Sequence, residues 1–248
     1  MYFAGVRYNK REQQKTMKKI RNNTTFFCFS PPVMIATFAI ELGLLLYTII
    51  RYKMSPLTRI VSATLLCLAI FQFAEFNVCE GAAGLNDFYS RLGFIAITVL
   101  PPLGIHLVQT IAGRGSKFLP WIAYATGLIF IIIFGLNSTA FESQVCGGNY
   151  AIFQLTHNLG GMFFLYYYFW LIVGIGMCLY FSTSANKRTR EALNLQAFGY
   201  LSFLLPTGIV NAINPDSIKA IPSIMCGFAV IYALILAFGI TPRILKQR

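Results

Sequence analysis

Leu92–Ala112 reads LGFIAITVLPPLGIHLVQTIA, without one charged side chain. An α-helix needs about 20 mainly apolar residues to cross the hydrocarbon core of a bilayer, and this stretch supplies them. It is apolar on every side, so it lacks the alternating polarity of a barrel strand, which would run for about 10 residues. The Pro101–Pro102 pair would break a helix in water. Inside a bundle, neighbouring helices and local water re-satisfy the carbonyls that proline frees. The reading is one membrane-spanning helix.

Six more stretches pass the same test: Pro31–Tyr52, Leu57–Val78, Phe118–Leu136, Leu155–Phe181, Leu193–Ile213 and Ile218–Ile240. Composition agrees, with 56 % hydrophobic and 11 % charged residues among the 248. A soluble domain carries about 25 % charged residues, so the solvating surface is missing. The 23 Phe and 13 Tyr exclude a disordered chain. The expected fold class is all-α: an integral membrane seven-helix bundle over residues 31–241. A basic tail (1–30) precedes it and a short basic tail (242–248) follows. The first partner is therefore the lipid bilayer.

The chain has 20 Lys+Arg against 8 Asp+Glu, a net charge of +12. Placement decides what that charge means. Arg51, Lys53, Arg59, Arg114, Lys117, Lys187, Arg188, Arg190, Arg243, Lys246 and Arg248 fall on one side of the spans. The other side holds Arg91 and Lys219 beside Glu80, Asp87, Glu142 and Asp216. The positive-inside rule then puts the C-terminus in the cytoplasm and, with seven spans, the N-terminus outside. The expected location is the cell (plasma or inner) membrane, multi-pass, and no nucleic-acid partner is needed to explain the charge. Arg7, Lys10, Arg11, Lys15, Lys18, Lys19 and Arg21 oppose this, with only Glu12 among them. Two explanations stand: a basic helix translocated because four later loops outvote it, or translation starting at Met17. No short apolar region ending in small residues precedes the first span, so a cleavable signal peptide is not expected.

Cys67, Cys178 and Cys226 fall within spans and read as small packing residues. Cys28, Cys79 and Cys146 fall at the outer face, where disulfides persist. The expected bridge is Cys79–Cys146, which would pin the Asn137–Gln154 loop across the bundle; Cys28 is able to replace either partner. Asn23-Thr24-Thr25 and Asn137-Ser138-Thr139 match the glycosylation acceptor pattern, which is frequent by chance.

Ionisable groups within spans are costly and point to function. Here they are Glu41, Glu75, His106 and His157. Gln72, Glu75 and Cys79 share one helix face, and His157, Asn158, Asn211 and Asn214 lie at the depth of Glu75. Gln72, Glu75, His106, His157, Asn158, Asn211 and Asn214 are thus the candidate ligand-binding residues of an outer-half site. The competing reading has them bond one another to satisfy buried polarity. Pro101 and Pro102 free two carbonyls one turn earlier, where water, a side chain or a ligand enters. Phe163–Trp170 reads FFLYYYFW, which sets aromatics all round span 5, with one or two turned inward to stack on a flat or apolar ligand.

Catalytic patterns are missing. A zinc hydrolase takes three ligands rich in His or Cys, and the chain has two histidines, on different spans. Asp87 and Asp216 lie outside the spans. No phosphate loop, HExxH or nucleophile elbow occurs, and span 7 has no mid-depth lysine for a retinal Schiff base. The expectation is no enzyme, no cofactor and no metal.

A basic residue, Arg91, opens span 3, which continues as LGFIAITVLPPLGIHLVQTIAG, with a Pro-Pro pair and a histidine one turn later. With seven spans and an outside N-terminus, this resembles the seven-transmembrane sensory region of bacterial histidine kinases, over residues 31–241. The chain carries no histidine-containing dimerisation helix and no ATP-binding domain. The resemblance implies a sensing bundle without its own output. The function expected is a stand-alone sensor or receptor-like protein. It would bind a small molecule in the outer half and signal through a separate protein at the cytoplasmic loops. The rival is a small transporter or channel component, resting on Glu41, Glu75 and His106. A third reading is an accessory membrane subunit without a ligand.

Overall fold

The computed structural model describes residues 31–81, 85–137, 140–147, 150–214 and 220–245; of residues 31, 142–147, 150–154, 157 and 158 only the backbone is considered. The helices are α1 (Pro31–Arg51), α2 (Pro56–Glu80), α3 (Asn86–Ala112), α4 (Phe118–Leu136), α5 (His157–Ser182), α6 (Lys187–Ile213) and α7 (Ile221–Leu234). The last continues through a π-helical stretch, Ile235–Ile240, into α8 (Thr241–Ile244). Seven helices are long and apolar enough to cross a membrane. The basic tail 1–30, with its competing start at Met17, and the acceptor triplet at Asn23 lie outside the described residues.

Local chemistry sets the ends. Ser55 caps α2, its Oγ accepting from the Thr58 backbone N–H at 3.2 Å, with Pro56 in the first turn. α6 starts at Lys187 instead of Leu193 because Asn186 caps it, accepting from the Thr189 N–H at 3.0 Å. Its charged first turns stay exposed beyond the apolar run.

Between α4 and α5 stands an element that the apolar runs do not announce. Strands β1 (Phe141–Gly147) and β2 (Tyr150–Leu155) pair antiparallel, with a register shift between Phe141 and Ser143. This hairpin packs on α2, α3, α5 and α7 and closes one end of the bundle. The end that carries it is here the hairpin end, and the other is the basic end.

α3 is the central helix, packed on α2, α4, α5 and α6, whereas α1 rests on α2, α7 and its π-helical continuation. The outside is apolar: Trp121 is 74 % exposed and Leu136 82 %. Such a surface belongs against lipid. Within α3, Pro102 has no N–H for the carbonyl of Thr98, one turn earlier. The Tyr166 hydroxyl of α5 donates to that oxygen at 2.8 Å. Gly127 of α4 makes room, since a Cβ there would lie 2.8 Å from the Tyr166 hydroxyl oxygen. A tyrosine therefore takes the place that Pro102 leaves for water or ligand.

The FFLYYYFW run divides by helical period. Phe163, Tyr166, Tyr167 and Trp170 are buried, while Leu165 and Phe169 are exposed. Phe163 joins Phe94, Phe130 and Phe134 in an aromatic cluster with ring centroids 5.2–5.5 Å from its own. Four aromatics face inward, and they pack on protein side chains.

Candidate functional site

α1 turns a stripe of Met34, Thr37, Glu41, Leu44, Leu45 and Thr48 inward, a helical period of three and four. The two threonines satisfy themselves within the helix, Thr37 Oγ1 donating to the Met34 carbonyl at 2.9 Å and Thr48 Oγ1 to that of Leu44 at 2.8 Å. Glu41 has no such outlet. It is fully buried, and neither carboxylate oxygen has a hydrogen-bond partner among the described residues.

Across from it, α2 buries Gln72 and Glu75. They sit one turn apart, so the shared face expected from the sequence is present. The Ser223 hydroxyl, on the first turns of α7, donates to Glu75 Oε1. Glu41 and Glu75 lie within electrostatic range of each other, and the Cys226 thiol of α7 lies within range of both. The cluster therefore joins α1, α2 and α7. An ionised carboxylate in dry surroundings needs a counter-charge or a proton, so this is the place in the bundle where a positive species gains most.

Beside it runs a narrow void lined by Thr64, Leu100, Tyr167, Tyr200, Cys226 and Tyr232, with room for about one water. A second space, nearer the start of α7, shares Tyr167, Met225 and Cys226 with it. The Tyr232 hydroxyl accepts from Gln196 Nε2 at 2.6 Å, a polar tie between α7 and α6. Gly104 of α3 lets the Tyr200 hydroxyl approach its backbone where any Cβ would clash.

The other predicted site residues are distributed differently. His106 is half-buried, its Nδ1 3.4 Å from the Tyr124 hydroxyl of α4. That pair belongs to the α3–α4 seam and makes no bond to Glu75. Asn211 is half-buried and Asn214 exposed at the end of α6. His157 and Asn158 open α5, and their side chains lie outside the described residues. Glu41, expected only in a transport reading, is instead electrostatically coupled to Glu75. Ser223 was not anticipated. Its one signal in the sequence is a hydroxyl early in the last apolar run, at the depth of Glu75.

Cys67, Cys178 and Cys226 are free thiols in the bundle. Cys79 is disulfide-bonded. The side chains of Cys28 and Cys146 lie outside the described residues. In the backbone, Cys146 pairs with Ala151 in the hairpin, and β1 packs on α2, which ends beside Cys79. At the hairpin end Arg91 donates to Asp87 at 2.7 Å and to the Phe134 carbonyl at 2.8 Å, joining α3 to α4. At the basic end Arg114 donates to the Phe181 carbonyl at 2.9 Å and to Ser184 Oγ at 2.6 Å. No family model matches this chain, and no curated protein is similar enough to match it.

Proposed function

We propose that the chain is a stand-alone receptor-like sensor of the plasma or inner membrane. In this reading the hairpin end faces outward and the basic end faces the cytoplasm, as the positive-inside rule requires. A small polar molecule enters from the hairpin end, and a separate signalling protein reads the basic loops. The observation that carries the reading is the buried Glu75–Ser223 bond between α2 and α7. It lies at the end closed by the hairpin, next to space shared by α3, α5 and α7. A ligand that competes for Glu75 releases the first turns of α7. The far end of that helix is π-wound, and such turns are frequent at functional sites because their hydrogen bonding is easily rearranged. The same reading pairs Cys79 with Cys146, so that the hairpin is fastened over the ligand entrance.

The test is a melting series of wild type and Glu75→Gln with and without a library of small polar molecules. A compound that raises the wild-type Tm and leaves the variant unmoved supports the reading; equal responses overturn it. Transport is the second reading, favoured by Glu41, a buried carboxyl without a bonding partner.

A further inference from the structure

We propose that Glu41 is a binding site for one small monovalent cation, a proton or a sodium ion, held between α1, α2 and α7. This goes beyond the sensor reading and does not depend on it. Two observations meet here. The Glu41 side chain is fully buried, and both its oxygens lack a hydrogen-bond partner among the described residues. Among the described residues, the titratable groups within electrostatic range are Glu75 on α2 and Cys226 on α7, and neither is cationic.

Chemistry narrows the class. The polar oxygens named on these three helices are the carboxyls of Glu41 and Glu75 and the Ser223 hydroxyl that bonds Glu75, which are hard donors. Among the described residues no group of three or more His, Cys, Asp or Glu is placed to hold a metal ion, so a divalent or thiolate-seeking metal lacks its ligands. A single positive charge requires fewer anionic ligands: a proton takes one carboxylate oxygen, and sodium takes a carboxylate with neutral oxygens around it. α1 packs chiefly on α2, α7 and its continuation, so binding there also decides how firmly α1 is held.

The experiment uses the full chain purified in detergent, with thermal unfolding read in two arms at constant ionic strength. In the first, sodium chloride replaces choline chloride at fixed pH. In the second, the pH is lowered in choline chloride alone. A cation that binds the folded state raises Tm with its concentration, here by about 2–4 °C over the series. A rise in the sodium arm that Glu41→Gln abolishes assigns sodium. A rise in the pH arm alone, likewise abolished, assigns the proton. In the proton case the wild type also shows an infrared C=O stretch of a protonated carboxyl that the variant lacks. Glu41→Met, similar in volume, is the second variant if the first fails to fold. The proposal is overturned if neither arm moves the wild type, or if both variants respond as the wild type does.

Discussion

Replacing Tyr166 by Phe removes one atom, the hydroxyl that donates to the Thr98 carbonyl at 2.8 Å. The ring stays in place, packed on Phe130 with centroids 5.0 Å apart. What changes is that a carbonyl already deprived of its helical donor by Pro102 loses its only substitute. Leaving a buried polar atom unpaired costs about 1–3 kcal/mol, whereas side-chain bonds within membranes average about 0.6 kcal/mol in double-mutant cycles. Thr98 is buried and Pro102 offers its carbonyl no N–H, so about 1–2 kcal/mol is expected, between the two figures. For a chain of this size that lowers Tm by about 2–8 °C.

The decisive version is a cycle with Pro102→Ala. Alanine restores an N–H one turn after Thr98, so the carbonyl regains a helical partner. In that background Tyr166→Phe should cost only the small loss of a bond that is no longer needed. A coupling of about 1 kcal/mol between the two changes is expected, read from unfolding midpoints of all four proteins in one detergent. Equal costs of Tyr166→Phe with Pro and with Ala at position 102 would refute the account of how α3 is completed.

Three further outcomes are expected. Glu75→Gln leaves the Ser223 hydroxyl an oxygen to donate to, so stability stays within about 1.5 kcal/mol of wild type while any ligand-induced rise disappears; a destabilised variant that still responds to ligand would make Glu75 structural only. Mass spectrometry of unreduced protein should recover the Cys79–Cys146 linked peptides, whose reduction costs less than the roughly 2–5 kcal/mol of a small secreted domain because lipid and helices still hold the bundle; a Cys28–Cys79 link would move the partner. A reporter fused after Arg248 should read cytoplasmic and one inserted near Ser143 external, and a cytoplasmic Ser143 reporter would break the seven-span arrangement.

What the sequence discloses follows from the range of each interaction. Span existence is local, fixed by a run of apolar residues as long as the bilayer is thick, and all seven runs are helices. The freed carbonyl at Thr98 was readable for the same reason, since Pro102 and its orphan sit on one turn. Its partner was not, because Tyr166 is distant in sequence and one aromatic in a run of eight looks like another. The hairpin escapes a sequence reading because Asn137–Gln154 reads as a loop, and a short strand pair beside long apolar runs has little weight of its own. Ser223 escaped because a lone serine in an apolar helix most often bonds its own backbone. Its importance comes only from the carboxyl that α2 carries to meet it. Glu41 was visible, as a charge in a span always is, but its neighbour across the α1–α2 seam was not.

The polar bonds divide the bundle unequally. α3, α4 and α5 are joined through Tyr166 to Thr98, Trp170 to Thr126 at 3.0 Å and Arg91 to Phe134, with a continuous aromatic cluster between them. Among the described residues α7 carries a Ser223–Glu75 bond near the hairpin end, a weak Tyr168–Met225 sulfur contact and the Gln196–Tyr232 bond further along. α1 is held to its neighbours by packing around a carboxyl with no bonding partner. A perturbation at Glu75 or Glu41 therefore acts where the structure has fewest alternative bonds. The α3–α4–α5 half is joined by several bonds and an aromatic cluster, whereas loss of the Ser223–Glu75 bond acts directly on the first turns of α7. Beyond Tyr232 that helix is π-wound up to Ile240, and Arg243 then meets Glu191 of α6 at 3.6 Å. A change at the hairpin end thus has a mechanical route to the basic end along a single helix. That route needs no hinge loop, only a shift in the turn of α7 least committed to one hydrogen-bond pattern.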